Sequence, residues 1–460
     1  MPVPALPPPP DGRFLVALDD PGTMIWEPTW TRVDAHPNLV TSYTIDRGRQ
    51  YELDRTDGGR AQVEIIDPDG ILDPTNSSGP YYGKLEPLLQ AMIGRHNPVT
   101  DVWHTRFRGW IEDFDYTYDP SQRVNRLTLN LVDIFEKLNA TEATAFGDTP
   151  PASVKSPDVV WFIQRDVLRD RLTDLLSRVG VPADFYVLFS GNVALFPTSY
   201  STGESVLTVI QDCADSEFPG VGNVYTDRRG RLCFHGRLAK FDPISISDDA
   251  GPGRWEWTDW EVGDSTAVNA DPANTAHIRR FAFNRGLAKI INSAAATPQW
   301  SSAKPSSGYG TDLTAGEIKG ALVWDQASID TYGVRSWSIQ NLQTQRGEPS
   351  GANSVIETRK FATYYRDNYA QPQNRVTDIA FRTMHPSWTG AAITWDLLSR
   401  IDISDGMKVT LDAPGGGGFL EGAFFVEGVH EEARMLTPDM DEITLSLDLS
   451  PRVYYAGPAP

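Results

Sequence analysis

Apolar and polar positions alternate with period two along most of this chain, the pattern of strands with one buried face. Leu39, Thr41, Tyr43 and Ile45 alternate with mostly polar neighbours. Residues 51–66 repeat the pattern: Tyr51, Leu53 and Arg55 lead to Gly58-Gly59, and Ala61, Val63 and Ile65 follow. A glycine pair between alternating runs predicts a β-hairpin turning at Gly58-Gly59. Asp67-Pro68-Asp69-Gly70 and Asp73-Pro74-Thr75-Asn76 then stop the strand. Residues 85–93 are apolar enough for a buried strand or a helical turn, and Pro87 argues against a central strand. Residues 102–114 and 126–132 alternate around an Asp119-Pro120-Ser121-Gln122 turn, with Leu127, Leu129 and Leu131 facing inward. A short helix over 133–138 closes this unit, which reads as a small barrel.

From Pro150 the period changes. Val167, Leu168, Leu172, Leu175, Leu176 and Val179 form a helical stripe over 162–179, ended by Gly180. A second helix follows Ser201-Thr202-Gly203-Glu204, whose ends have capping-box spacing, and carries Val206, Leu207, Ile210, Cys213 and Ala214. Residues 223–235 form a hairpin turning at Asp227-Arg228-Arg229-Gly230. Residues 241–275 are loop-rich and carry Trp255, Trp257 and Trp260. Strands are expected at 277–283, 287–294, 375–381, 424–429 and 443–449, with another starting at the 405–409 turn and a helix over 354–369. The Ser-, Gly- and Pro-rich run 297–316 reads as a mobile loop, and the Pro-rich lead 1–22 as an extended segment. The whole predicts an α+β, β-dominated fold. It consists of the lead (1–22), a first β-barrel-like domain (23–149), an α/β insert (150–261) and a second β-barrel-like domain with loop and helix insertions (262–460).

Composition narrows the function. A chain of 460 residues has length for about three domains. Its formal net charge is −20, from 61 acidic against 41 basic residues, which argues against wrapping duplex DNA. Such charge would repel DNA moving through a channel, or simply aid solubility. Cys213 and Cys233 are the two cysteines and read as buried free thiols. No charged end followed by an apolar run marks a signal peptide, and no run reaches the ~20 apolar residues of a membrane span.

Candidate chemistry is sparse. Asp67, Asp69 and Asp73 suggest a calcium loop, but the twelfth position from Asp67 is Ser78, and the flanking Pro and Gly favour turn chemistry. His36, His96, His104, His235, His277, His385 and His430 include no pair four apart, so the paired-histidine zinc motif is missing. No nucleophile elbow or phosphate loop occurs, and Gly415–Gly418 lacks the lysine of one. The acid pairs Glu431-Glu432 and Glu112-Asp113 are adjacent on strands and point to opposite faces, so neither serves as a glycosidase pair. Trp26, Trp30, Trp255, Trp257, Trp260 and Trp388 offer stacking faces for a sugar, or interface anchors. No catalytic, cofactor-binding or metal residue stands out, so a protein that is not an enzyme is expected.

Six stretches carry a resemblance. The run from Tyr51 through Ile65 and Asp73 to Gly83 resembles the first barrel of bacteriophage tail-hub proteins, the minor tail proteins of long-tailed actinobacterial phages. Residues 107–114 (FRGWIEDF), 224–237 (VYTDRRGRLCFHGR) and 325–336 (ending SIDTYGVRS) are similar to that family, as are FFVEGVHEE and ITLSLDLSP near the C-terminus. The resemblance covers roughly 30–455 and lies in the order of the motifs. It implies a tail-hub-like fold and a structural virion protein, made in the host bacterial cytoplasm and placed at the tail tip. It further implies a homotrimeric hub whose two barrels per chain present six similar units to a six-fold tube. Its implied partners are the distal tail protein ring, the C-terminus of the tape measure protein and other minor tail proteins. Double-stranded DNA only passes through the channel, with no direct membrane insertion. The alternatives are a hexameric distal tail protein, a receptor- or carbohydrate-binding tail component, and a cell-wall hydrolase.

Overall fold

The computed structural model describes residues 14–19, 30–33, 39–121, 124–143, 159–162, 168–189, 195, 198–201, 203–217, 222–236, 240, 258–287, 289–298, 321–342, 352–373, 375–412, 419–437 and 440–452. The fold is β-dominated, with helices set against several sheets.

The N-terminal half contributes β1 (Phe14–Asp19), β2 (Trp30–Arg32), β3 (Leu39–Gly48), β4 (Asp57–Ile66), β5 (Gln90–Asn97), β6 (Val102–Asp119) and β7 (Val124–Val132). They pair in the order β3-β4-β7-β6-β5-β1-β2. Val63, Ile65, Leu127, Leu129 and Leu131 are buried on one face, as their alternation requires. The sheet curls until Phe14 on β1 meets Tyr43 on β3, ring centroids 5.1 Å apart.

After α1 (Ile134–Ala140) come β8 (Val159–Phe162), α2 (Leu168–Val179), β9 (Tyr186–Leu188), β10 (Thr198–Ser201), α3 (Val206–Asp215), β11 (Asn223–Thr226) and β12 (Leu232–His235), the elements of the stretch expected as an insert. Its own core joins Leu172, Leu176, Ile210 and Phe234 to Trp110, Phe135 and Leu138. Thus α1 packs with the insert's helices as well as following β7.

The C-terminal half contains β13 (Asp259–Gly263), α4 (Ser265–Ala270), β14 (Thr275–His277), β15 (Arg280–Asn284), β16 (Ser293–Pro298), β17 (Ala321–Trp324), α5 (Gln326–Tyr332) and β18 (Ser336–Leu342). Next come α6 (Ala352–Tyr369), β19 (Arg375–Arg382), α7 (Ala391–Arg400), β20 (Gly406–Asp412), β21 (Phe419–Thr437) and β22 (Met440–Pro451). Strands β16, β17 and β18 form a separate sheet covered by α6, where Phe361 and Tyr365 bury Ala294 and Ala296. The other seven pair as β15-β19-β22-β21-β20-β13-β14. This is the N-terminal order again, with β15 for β3, β19 for β4, β22 for β7, β21 for β6 and β20 for β5. All pairings among those five strands are antiparallel in both halves. The halves part at the far edge, where β13 runs parallel to β20 while β1 runs antiparallel to β5. They also differ in what joins the first two strands, since the β16–α6 insertion lies between β15 and β19.

Several local expectations shift. The first hairpin is β3–β4, turning through 49–56, and Gly58-Gly59 lie inside β4. A Cβ on Gly59 would sit 2.8 Å from Asp133 Oδ2, whose carboxylate accepts the Gly59 N–H at 2.7 Å. The glycine pair therefore marks a close approach, the alternative meaning of glycine in a strand. Residues 14–19 of the lead are strand β1, with Val16, Ala17 and Leu18 fully buried, while 1–13 lie outside the described residues. Helix α3 is capped by Ser205, whose Oγ accepts the Thr208 N–H at 3.1 Å; the Ser201–Glu204 box does not form, because Glu204 precedes the helix. The strand expected at 287–294 starts at Ser293 and runs to Pro298, taking in the first residues of the predicted loop. Residues 299–320 lie outside the described residues, as do 413–418 with the glycine run. Phe162 belongs to β8 rather than to the helix, which is described from Leu168.

Candidate functional site at the seam of the two sheets

Strands β3 and β21 join the halves into one sheet of 14 strands. Antiparallel pairing runs from Gly48 opposite Gly428 to Ser42 opposite Arg434. Gly48 adopts φ 99°, and a Cβ there would overlap the Glu427 carbonyl oxygen. Glycine is required at that point by both conformation and space.

Among the described residues, ionic clusters centred on Glu431, Glu427 and Asp402 cross the seam. Glu431 on β21 accepts Arg95 Nη2 at 2.7 Å, Arg106 Nη2 at 2.8 Å and the Tyr43 hydroxyl at 2.5 Å. Burial would raise its pKa, but Arg106 and Arg95 hold the carboxylate below its ordinary range. Burial with the neighbouring carboxylate raises the Tyr43 phenol. Glu427 accepts Arg49 Nη2 at 2.6 Å and the Ser450 hydroxyl at 2.5 Å, and it also binds Lys240 Nζ. Against burial, Arg49 and Lys240 again keep this carboxylate low, while burial brings Lys240 down to about 8. Asp402 accepts Arg47 Nη1 at 2.8 Å and the Arg228 N–H at 2.8 Å, tying in the insert hairpin.

Beside these clusters the buried carboxyls of Asp405 and Asp133 make no ion pair among the described residues. Burial pushes Asp405 up to about 7, against hydrogen bonds from Trp260 Nε1 at 3.1 Å and the Asp402 N–H at 3.0 Å. Burial also raises Asp133, the cap of α1, to about 6. On the seam's rim His430 bridges Asp46 at 2.9 Å and Asp448 at 2.6 Å, and these hydrogen bonds raise it to about 10. A polar cleft of about 720 Å³ opens there, lined by Arg49, Asp57, Arg60, Asp133, Glu136 and His430. In this cleft the Asp133 carboxylate accepts the Gly59 N–H at 2.7 Å and the Phe135 N–H at 2.9 Å, which fastens β4 to the start of α1.

The residues singled out in the sequence fall elsewhere or into structural roles. Asp67 accepts the Ile71 and Leu72 N–H groups at 2.9 and 2.8 Å and the Tyr116 hydroxyl at 2.9 Å, while Asp73 accepts the Thr75 N–H at 2.8 Å. Among the described residues no group of three His, Cys, Asp or Glu could hold a metal ion. Glu431 is buried and Glu432 exposed, as adjacency on a strand requires. Glu112 and Asp113 are both exposed, because a bulge interrupts the β6–β7 register between Ile111 and Asp113. His235 is buried, and burial takes it down to about 3; His104 falls to about 4 through burial beside Arg228 and Arg106. His96, His277 and His385 bond Asp101, Ser265 and Ser387. Cys213 and Cys233 are buried free thiols. Trp260 is buried and Trp388 is 64% exposed, whereas Trp26, Trp255, Trp257 and His36 lie outside the described residues. The sequence reading missed Arg95, Arg106, Arg49 and Glu427. Their charge at otherwise apolar-facing strand positions was the available signal. Among the described residues no helix is long and apolar enough to cross a membrane.

No family model and no curated protein matches this sequence. Solved structures do match. The chain is similar to the tail protein from Neisseria meningitidis MC58, with TM-score 0.52 and 12% identity over 96% of this chain and 98% of that one. The prophage tail protein gp18 from Listeria monocytogenes EGD-e aligns over 95% and 94% of the two chains, with TM-score 0.45 and 9% identity. The E. coli c3393 protein is a component of the type VI secretion system with structural similarity to T4 bacteriophage tail proteins gp27 and gp5. It aligns over 92% of this chain and 76% of its own, with TM-score 0.42 and 10% identity. The first of these likenesses shows a shared fold along nearly the full length.

Proposed function

We propose that this chain is the structural protein of the central hub at a phage tail tip, acting as a homotrimer. The observation that carries the reading is the repeated strand order, β3-β4-β7-β6-β5 and β15-β19-β22-β21-β20, within one polypeptide. Three copies then present six similar sheets, which fit a six-fold ring on one side and three-fold tip components on the other. The full-length likeness to a tail protein supports the same reading. On this reading the domains are the barrels at 23–149 and 262–460, the first completed by β1, with the α/β insert at 150–261 between them. The partners are the distal tail ring, the tape measure protein's C-terminus and other minor tail proteins, and the protein resides in the virion tail. It works by shape and tight assembly rather than catalysis. The net charge of −20 lets genomic DNA pass an acidic lumen without adhering.

Sedimentation of the purified chain tests the reading. The expected species has three times the mass of one chain at micromolar concentration. A stable monomer overturns the hub, and a hexamer points to the distal tail ring instead.

A further inference from the structure

The two halves share more than strand order. Aligning β3–β4 with β15–β19 by register places Tyr43-Thr44-Ile45-Asp46-Arg47-Gly48 on Phe281-Ala282-Phe283-Asn284-Arg285-Gly286. Aligning the bulges of β6 and β21 places Ile111-Glu112-Asp113-Phe114 on Val426-Glu427-Gly428-Val429. β3 and β15 therefore occupy equivalent positions in the two halves, as do the long strands β6 and β21.

Only one of the two possible junctions is made within the chain. β21 pairs with β22 along one edge; along the other it pairs with β20 over 419–425 and with β3 over 428–434. β6 pairs with β7 along one edge and with β5 along the other only as far as Trp110. Among the described residues, the edge of β6 over 112–118 has no backbone partner. β15 likewise pairs with β19 alone. The consequence shows in burial. Tyr43 and Ile45 are 1% and 3% exposed under β21, whereas of their counterparts Phe281 is half-buried against the core and Phe283 is 51% exposed, with Leu287 beyond at 46%. Tyr118 on the open edge of β6 is 61% exposed. Gly286 carries the same mark: a Cβ on Gly48 overlaps β21, but a Cβ on Gly286 meets nothing within 4 Å. An exposed apolar edge strand invites another chain.

We infer that β15 of one copy adds antiparallel to the open edge of β6 in a second copy, repeating the β3–β21 junction between subunits. The inference rests on the trimeric-hub reading and supplies its contact. Transferring the β3–β21 register puts Gly286 opposite Asp113, Phe283 opposite Tyr116, Ala282 opposite Thr117, Phe281 opposite Tyr118 and Arg280 opposite Asp119 of the second copy. Charge suits the contact: Arg279, Arg280, Arg285 and Lys289 lie on or beside the adding strand, Glu112, Asp113, Asp115 and Asp119 lie along the receiving one, and the register sets Arg280 against Asp119. The contact is heterologous, so it closes only if its rotation returns to the start, as it does with three copies at 120°. Junctions within and between chains then alternate around one ring of six sheets.

A cysteine pair at Thr117→Cys and Ala282→Cys in the full chain tests the register. Cys213 and Cys233 are buried and do not compete. Oxidation is expected to give covalent dimers and trimers on a denaturing gel. The one-residue offset pair, Thr117→Cys with Phe281→Cys, is expected to give none. Gly286→Leu has room in the free subunit but not under a neighbour, so it is expected to keep the folded circular dichroism spectrum and lose the trimer. A wild-type trimer that neither cross-links nor responds to Gly286→Leu overturns this contact and leaves the hub reading standing. Cross-linked rings of six keep the contact and overturn the trimer; a wild-type monomer without cross-links overturns both.

Discussion

Glu431 illustrates what single residues do here. Its carboxylate sits between two buried guanidiniums and a phenol, so truncating it strands Arg95 and Arg106 without their counter-charge. Breaking a buried pair on one side costs about 3–5 kcal/mol. Glu431→Ala is therefore expected to lower unfolding free energy by about that amount in urea titrations, whereas Glu432→Ala, exposed beside it, is expected to change it by less than ~0.5 kcal/mol. In the sequence the two glutamates look alike, and period-two alternation already separates their faces. Which face meets arginines was not legible, because Arg95 and Arg106 belong to a distant part of the chain.

Elements were legible wherever one face is buried and the other wet. Leu127, Leu129 and Leu131 on β7 and the stripe of α2 follow that rule. Helix α7 escaped notice because Ala391, Thr394, Trp395, Leu397, Leu398 and Ser399 are all buried, leaving little polar face to set the period. Boundaries failed where two signals compete. Ser201-Thr202-Gly203-Glu204 has the spacing of a capping box, yet Ser205 is the residue that accepts an N–H of α3. Ser205→Ala is expected to destabilise the protein by about 0.5–2 kcal/mol, read as a lowered urea midpoint with an unchanged m-value. The hairpin turn moved for a comparable reason: a glycine pair signals a turn or a close approach, and only Asp133 on the neighbouring segment decides between them.

For the whole molecule, the buried carboxyls set how stability follows pH. Asp405 and Asp133 have folded pKa values of about 7 and about 6, above the ~4 of an unfolded carboxyl. Between those values the folded state holds the proton and the unfolded state does not, so stability falls as pH rises from about 4 to about 7. Glu427 and Glu431 are lowered instead, so their contribution is present above about 4 and fades in acid below it. Denaturant titrations are expected to show both arms. Asp405→Asn is expected to flatten the decline between pH 4 and 7 without removing the acid arm. An unchanged slope contradicts the buried, protonated Asp405. The same scale contains the duplication: the two motifs ending in Arg47-Gly48 and Arg285-Gly286 are visible in the sequence, but their equivalence needs the strand order of both halves.

By itself the sequence determined many of the segments, the apolar side of the alternating strands, and that the molecule is strand-dominated. Those are local properties, written in spacings of two and 3.6 residues. Only the tertiary structure decided that β3 adds to β21, that arginines from one half neutralise carboxylates of the other, and that β15 and β6 keep open edges. Strand edges carry identical backbone donors and acceptors whatever the side chains, so partner choice depends on distant segments arriving together, which no local pattern records.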